Sequence, residues 1–204
     1  MTRTAREHSP AKARLLDAAQ ALMLSKGFAA TSVEEVCRRA KLTKGCFVHY
    51  FASKDALGKA LLERFCASGA TLHGSLCGQE RDPLKRVLGY IEGLIRLSQD
   101  PVMGKGCLLG TFAQELCDDY PEIRKVCASG FDEWAEQFGS ELARAKARYA
   151  PRASFRPNEV AEHLIAVMEG ALILAKTKRD PKVVTRHLRH FRAYVEALFA
   201  RGGR

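Results

Sequence analysis

Two sets of side chains in this 204-residue sequence have the types and spacing for chemistry. The first is its thiols: cysteines at 37, 46, 66, 77, 107, 117 and 127. No Cys-x-x-Cys pair occurs, and seven is an odd number, so neither a zinc ribbon nor a disulfide framework is indicated. Cys107 is placed to react, because it follows Gly104 and Gly106 where a helix is expected to begin. A helix N-terminus or a nearby ammonium favours the thiolate, the reactive form. Oxidation to the sulfenic acid then opens routes to a disulfide or an S–N bond. Cys117 and Cys127 cannot readily pair with Cys107 along a shared helix, since ten residues rise about 15 Å against a limit of about 7 Å between Cα atoms. The alternatives for Cys107 are an inert small hydrophobe, or the nucleophile of a cysteine-dependent enzyme with a histidine as base. No local signature supports the enzyme. His187 and His190 stand three apart, but no further ligands share their spacing, so no metal and no cofactor is expected.

The second set suits phosphate and base edges. Thr43, Lys44, Gly45, Cys46, Val48, His49 and Tyr50 follow one another closely, with Thr31 and Ser32 before them and Lys54 just after. Hydroxyls, ammonium groups and a close backbone approach at glycine bind phosphate and set register, whereas contacts to base edges supply sequence preference. The charge agrees. The net charge is +10, and +6 of it falls in the first 64 residues, as twelve Lys/Arg against six Asp/Glu. Such a surplus implies an anionic partner, which charge alone leaves open between nucleic acid, a membrane surface and an acidic protein; the phosphate- and base-suited side chains beside it point to double-stranded DNA.

These residues need elements to hold them. At 47% apolar the chain can bury a core, and the pattern reads as helices with short punctuated loops and no alternating strands. A first helix is expected from about Pro10 to Lys26, ended by Gly27. Thr31 or Ser32 caps the next, each with a glutamate three residues on. Val33, Val36, Cys37 and Ala40 form its inward face, Leu42 fills a turn, and a short helix from Lys44 to Tyr50 is anchored by Phe47 and Phe51. Two short helices joined by such a turn make a helix-turn-helix. Further helices are expected from Lys54, from Pro83, after Gly106, from Pro121 to Arg148, from Asn158 to Lys178, and from Pro181 to Ala200 with Asp180 as cap. Phe112, Trp134, Phe138 and His163 are candidate pocket residues, set against plain core roles. The start of the chain has no apolar stretch after its charges, and no run reaches the roughly 18 residues of a membrane span. A cytoplasmic protein with no membrane partner is expected.

The stretch Thr31-Ser32-Val33-Glu34-Glu35-Val36, with Leu42 through Leu57, resembles the signature of the tetracycline-repressor (TetR) family. The resemblance implies an all-α fold of about nine helices. Residues 1–53 would form a three-helix DNA-binding domain, and residues 54–204 an effector-binding and dimerisation domain, with a homodimer through the last two helices. It also implies repression relieved by a small-molecule or electrophile effector. Two positions depart from the usual pattern: Cys46 stands for a common Thr or Ser, and Val48 for a common Tyr. Both lose a hydroxyl. Gly106-Cys107-Leu108 and Glu169 through Lys176 are similar to segments of one branch of the family, which includes an electrophile-responsive and an acrylate-responsive repressor. In the electrophile sensor, a cysteine and a lysine matching Cys107 and Lys176 do the sensing.

Overall fold

The computed structural model describes residues 9–100 and 106–202. Gly104, expected at the entrance to a helix, lies outside the described residues. Among them there are nine helices and no strand: α1 Pro10–Lys26, α2 Val33–Ala40, α3 Lys44–Tyr50, α4 Lys54–Cys77, α5 Pro83–Leu97, α6 Leu108–Leu116, α7 Pro121–Tyr149, α8 Pro157–Lys178 and α9 Lys182–Gly202. The chain divides into two compact units. One is Met1–Cys66 with Leu108–Ala128; the other is Ala67–Cys107 with Ser129–Arg204.

The first unit is built on where α1 stops. Gly27 has φ +86°, a backbone conformation that side chains resist, and it ends the helix. The chain then turns Phe28 inward, where its ring meets Phe112 edge-to-face at 5.5 Å and Tyr120 at 6.2 Å. Leu15, Ala19 and Met23 of α1 and Leu57, Leu61 and Leu62 of α4 complete this apolar interior. The Thr31 hydroxyl donates to the Gly27 carbonyl at 2.7 Å and closes the loop. Glu115 of α6 clasps the same loop: its two carboxylate oxygens accept the Phe28 and Ala29 N–H groups, each at 2.7 Å.

In the second unit Val87, Tyr90 and Ile91 of α5 meet Phe138 and Leu142 of α7, Leu164 of α8, and Val184, Leu188, Phe191 and Val195 of α9 in one core. Capping sets the helix starts. The Asp82 carboxylate accepts the Leu84 and Lys85 N–H groups with Pro83 in the first turn, and Asp180 accepts the Lys182 N–H. A paired charge lies inside: Arg86 donates to both Glu141 oxygens at 2.8 and 2.7 Å, and Glu141 is only 5% exposed. That pair holds the Glu141 carboxyl below the usual carboxylate range.

Candidate nucleic-acid interface and effector region

The helix-turn-helix is assembled by short local rules. Ser32 is the N-cap of α2: its hydroxyl accepts the Glu35 N–H, and Glu35 reaches back to the Ser32 N–H at 3.0 Å. Val36, Cys37 and Ala40 are buried as expected, and Val33 is half-buried. The helix ends at Lys41, which adopts the left-handed conformation at φ 53°. Arg14 of α1 donates to the Ala40 and Lys41 carbonyls and satisfies that end. Leu42 bridges the turn, and the Thr43 hydroxyl caps α3 by accepting the Cys46 N–H at 3.2 Å. Phe47 and Phe51, 3% and 4% exposed, anchor α3 with their rings 5.6 Å apart.

Anchoring on that side leaves the opposite face free. Thr43, Lys44, Gly45, Val48 and His49 are exposed, and Ser32, Cys46 and Tyr50 are half-buried. Val48 is 63% exposed, an apolar side chain turned largely to solvent. Lys44 makes an exposed ion pair with Glu34 at 2.7 Å, which raises the lysine's pKa and lowers the glutamate's. A pair in open solvent exchanges readily for a phosphate. The Tyr50 hydroxyl is 2.6 Å from Ser9 Oγ, and the His49 ring lies edge-on to Tyr50 at 4.8 Å.

Two expected phosphate contacts are corrected. Thr31 is 1% exposed and its hydroxyl is spent on Gly27, so its side chain holds the loop. The Lys54 ammonium points inward, donating to the Phe28, Ala29 and Thr31 carbonyls at 3.1 to 3.4 Å and lying 4.4 Å from the centre of the Phe28 ring. Three carbonyl dipoles and a π face satisfy its three donors. Conversely, Arg38, Arg39 and Lys41 are exposed beside the turn and were not singled out from sequence. Their signal was only the local excess of basic residues.

The effector candidates fall in different surroundings. Cys107 is half-buried, and its thiol hydrogen-bonds to the Glu169 carboxylate. Burial pushes the Glu169 carboxyl up, against that hydrogen bond, and Glu169 Oε1 is buried without a partner. Lys176 is exposed on α8, seven residues and about 10 Å of helix rise beyond Glu169. The group described against Cys107 is thus a carboxyl. Cys117 and Cys127 lie within hydrogen-bonding reach of each other, with Cys66 close by, and burial first pushes the Cys127 thiol up to about 12.

The four candidate pocket residues fall in different surroundings too. Phe112 and Phe138 are fully buried core residues in separate units. Trp134 donates its indole N–H to the Tyr90 hydroxyl at 2.8 Å, and the exposed His163 rests on Phe191 and Tyr194. None of them lines the open cleft of about 820 Å³ beside α9, whose walls include Ser98, Lys182, Arg186, Arg189 and His190.

Two family matches follow the chain from α1 into α9. "Bacterial regulatory proteins, tetR family" covers residues 15–61, and "Tetracyclin repressor-like, C-terminal domain" covers residues 83–191. The chain belongs to the TetR family. It is a DNA-binding transcriptional repressor, and the cysteine-enzyme alternative is set aside because the family and the relatives are regulators. Among TetR-family relatives, the HTH-type transcriptional repressor DhaR of Mycobacterium sp. (strain GP1) is 25% identical over 173 residues, covering 84% of this chain and 85% of its own. The repressor NemR of Escherichia coli (strain K12) is 28% identical over 177 residues, covering 86% and 89%. The crystal structure of E. coli NemR in its reduced form superposes with a TM-score of 0.76 at 26% identity, covering 89% and 96%. Within this family frame the described residues hold no helix long and apolar enough to cross a membrane.

Proposed function

We propose that residues 1–53 read operator DNA through the free face of α3, while residues 54–204 bind the effector and dimerise, and that the protein works in the cytoplasm. The observation carrying this reading is that α3 is anchored by Phe47 and Phe51 yet leaves Thr43, Lys44, Gly45, Val48 and His49 without packing partners in the core. Lys44, Tyr50, Ser32 and the Thr43 hydroxyl serve phosphates. Gly45 lets the backbone approach the sugar-phosphate chain, His49 reaches base edges, and Val48 offers methyl groups to a thymine methyl. Cys46, half-buried, contributes its backbone more than its thiol.

A homodimer through α8 and α9 is supported by the exposed apolar side chains there: Ile173 at 47%, Leu174 at 38% and Tyr194 at 41%. The operator is released by a small-molecule ligand, or by a reactive electrophile or oxidant, acting near Cys107. The adjoining Glu169 carboxyl, with its unpartnered oxygen, is a ready acceptor for the thiol proton. Lys176 acts in this step only if α8 carries it closer to Cys107.

Fluorescence anisotropy with DNA from the chain's own upstream region tests the reading. Lys44→Ala should weaken binding to all sequences and reduce the salt slope by about 1, as loss of one phosphate contact does. Undiminished binding in both Lys44→Ala and His49→Ala would refute α3 as the reading helix. Quinone or hypochlorite should release the DNA, and Cys107→Ser should blunt that release; an unchanged response removes Cys107 from the mechanism.

A further inference from the structure

His73 and Cys77 stand four residues apart on α4, so their side chains share one face of the helix. Both are buried, at 9% and 3% exposure, and His73 Nε2 lies 3.5 Å from Cys77 Sγ. Glu141 of α7 brings a buried carboxylate to the same place, and one donor atom from each residue fits within 4.8 Å of the other two. His73 Nδ1 is buried with no hydrogen-bond partner. Nothing in the reading of the DNA interface or of Cys107 uses these groups.

From this geometry we propose that His73, Cys77 and Glu141 bind a thiophilic divalent cation of the zinc type. The separation of the first two donors fits. With bonds of about 2.3 Å to sulfur and about 2.0–2.1 Å to nitrogen, two ligands at a tetrahedral angle stand about 3.5 Å apart. Thiolate with imidazole favours zinc over magnesium or calcium. Arg86, which donates to both Glu141 oxygens, becomes the outer partner that orients a ligating carboxylate. Each carboxylate oxygen has a second lone pair to give to a metal. Arg144, 3.4 Å from Glu141, adds positive charge that works against a cation held by charge alone, so the sulfur bond must supply the selectivity. On binding, the metal–sulfur bond forms and the Cys77 thiol proton leaves to solvent. Three protein ligands leave one tetrahedral position for water or another donor. The inference concerns the second unit alone and stands whether or not α3 reads DNA.

The test is a cobalt(II) titration of the full chain, reduced and stripped with chelator. One equivalent should give the visible bands of tetrahedral cobalt with a sulfur-to-cobalt charge-transfer band, and zinc should displace it. Cys77→Ser should abolish the charge-transfer band, and His73→Gln should weaken binding at least tenfold with helical content unchanged. X-ray absorption of the wild-type zinc-loaded chain needs no variant and should show one sulfur with nitrogen and oxygen. Absence of the charge-transfer band in the wild type overturns the proposal. So does a band that survives Cys77→Ser, or a shell of two or more sulfurs, since either would assign the cation to Cys66, Cys117 and Cys127.

Discussion

Replacing Glu115 by alanine removes two hydrogen bonds at once, those from the Phe28 and Ala29 N–H groups at 2.7 Å each. A bond to a charged group contributes about 1.5–3 kcal/mol when protected from water, and a typical one about 1 kcal/mol. Glu115 is exposed, so water replaces the lost acceptor in part, and the lower figure applies. Two bonds then come to about 2 kcal/mol. For a chain of this length each kcal/mol shifts Tm by about 2–4 °C, so Glu115→Ala should lower it by about 4–8 °C. Glu115→Gln keeps one carbonyl acceptor and should lose about half as much. The direct assay is amide hydrogen exchange at Phe28 and Ala29, which should speed up about thirtyfold in Glu115→Ala if the loop opens locally, the factor equivalent to about 2 kcal/mol. Unchanged Tm together with unchanged exchange at both amides would refute the clasp.

Glu35 should titrate near 2. Its hydrogen bond from Lys26, and next that from the Ser32 N–H, hold it well below the ordinary value of 4.5. A carboxyl depressed in the folded state contributes stability above its unfolded value, lost as pH falls through the folded one, so α2 should loosen between about 4.5 and about 2. NMR titration of the Glu35 carboxyl checks this: Lys26→Ala should raise the midpoint, and an ordinary midpoint in the wild type would contradict it. Gly58→Ala places a Cβ 2.9 Å from Phe28 Cε2 and 3.2 Å from Phe112 Cε1. Both rings are enclosed, so denaturant unfolding should show a loss of about 1–3 kcal/mol, and an unmoved midpoint would mean that the rings yield.

Local signals were legible in the sequence because they act over a few residues. Gly27 ends α1, Asp180 caps α9, and the Ser32–Glu35 pair forms the capping box, although Thr31 offered the same spacing with Glu34. The choice between Ser32 and Thr31 was made by tertiary structure, which turns Thr31 in toward Gly27. Lys54 misled for a related reason. A lysine beside a basic motif looks solvent-facing, but three carbonyls that converge only in the folded loop draw it inward. Of the aromatic pocket candidates Phe112 and Phe138 are fully buried and Trp134 is half-buried, a difference that periodicity does not give, since it shows which face of a helix is apolar and not whether a void lies beyond it. Glu169 beside Cys107, and Glu141 beside His73 and Cys77, join segments far apart in the chain, and no window of sequence brings them together.

The discontinuity of the first unit bears on how regulators of this kind can be recombined. Its compact body takes Leu108–Ala128 as well as Met1–Cys66, and Glu115 and Phe112 from the later stretch hold the loop between α1 and α2. A chimera that carried only residues 1–53 to a foreign sensor would leave the carboxylate and the ring behind. Its loop would depend on whatever the new host happens to offer. A graft that keeps its original fit needs both segments, so the first unit is not a cassette that one cut can lift out.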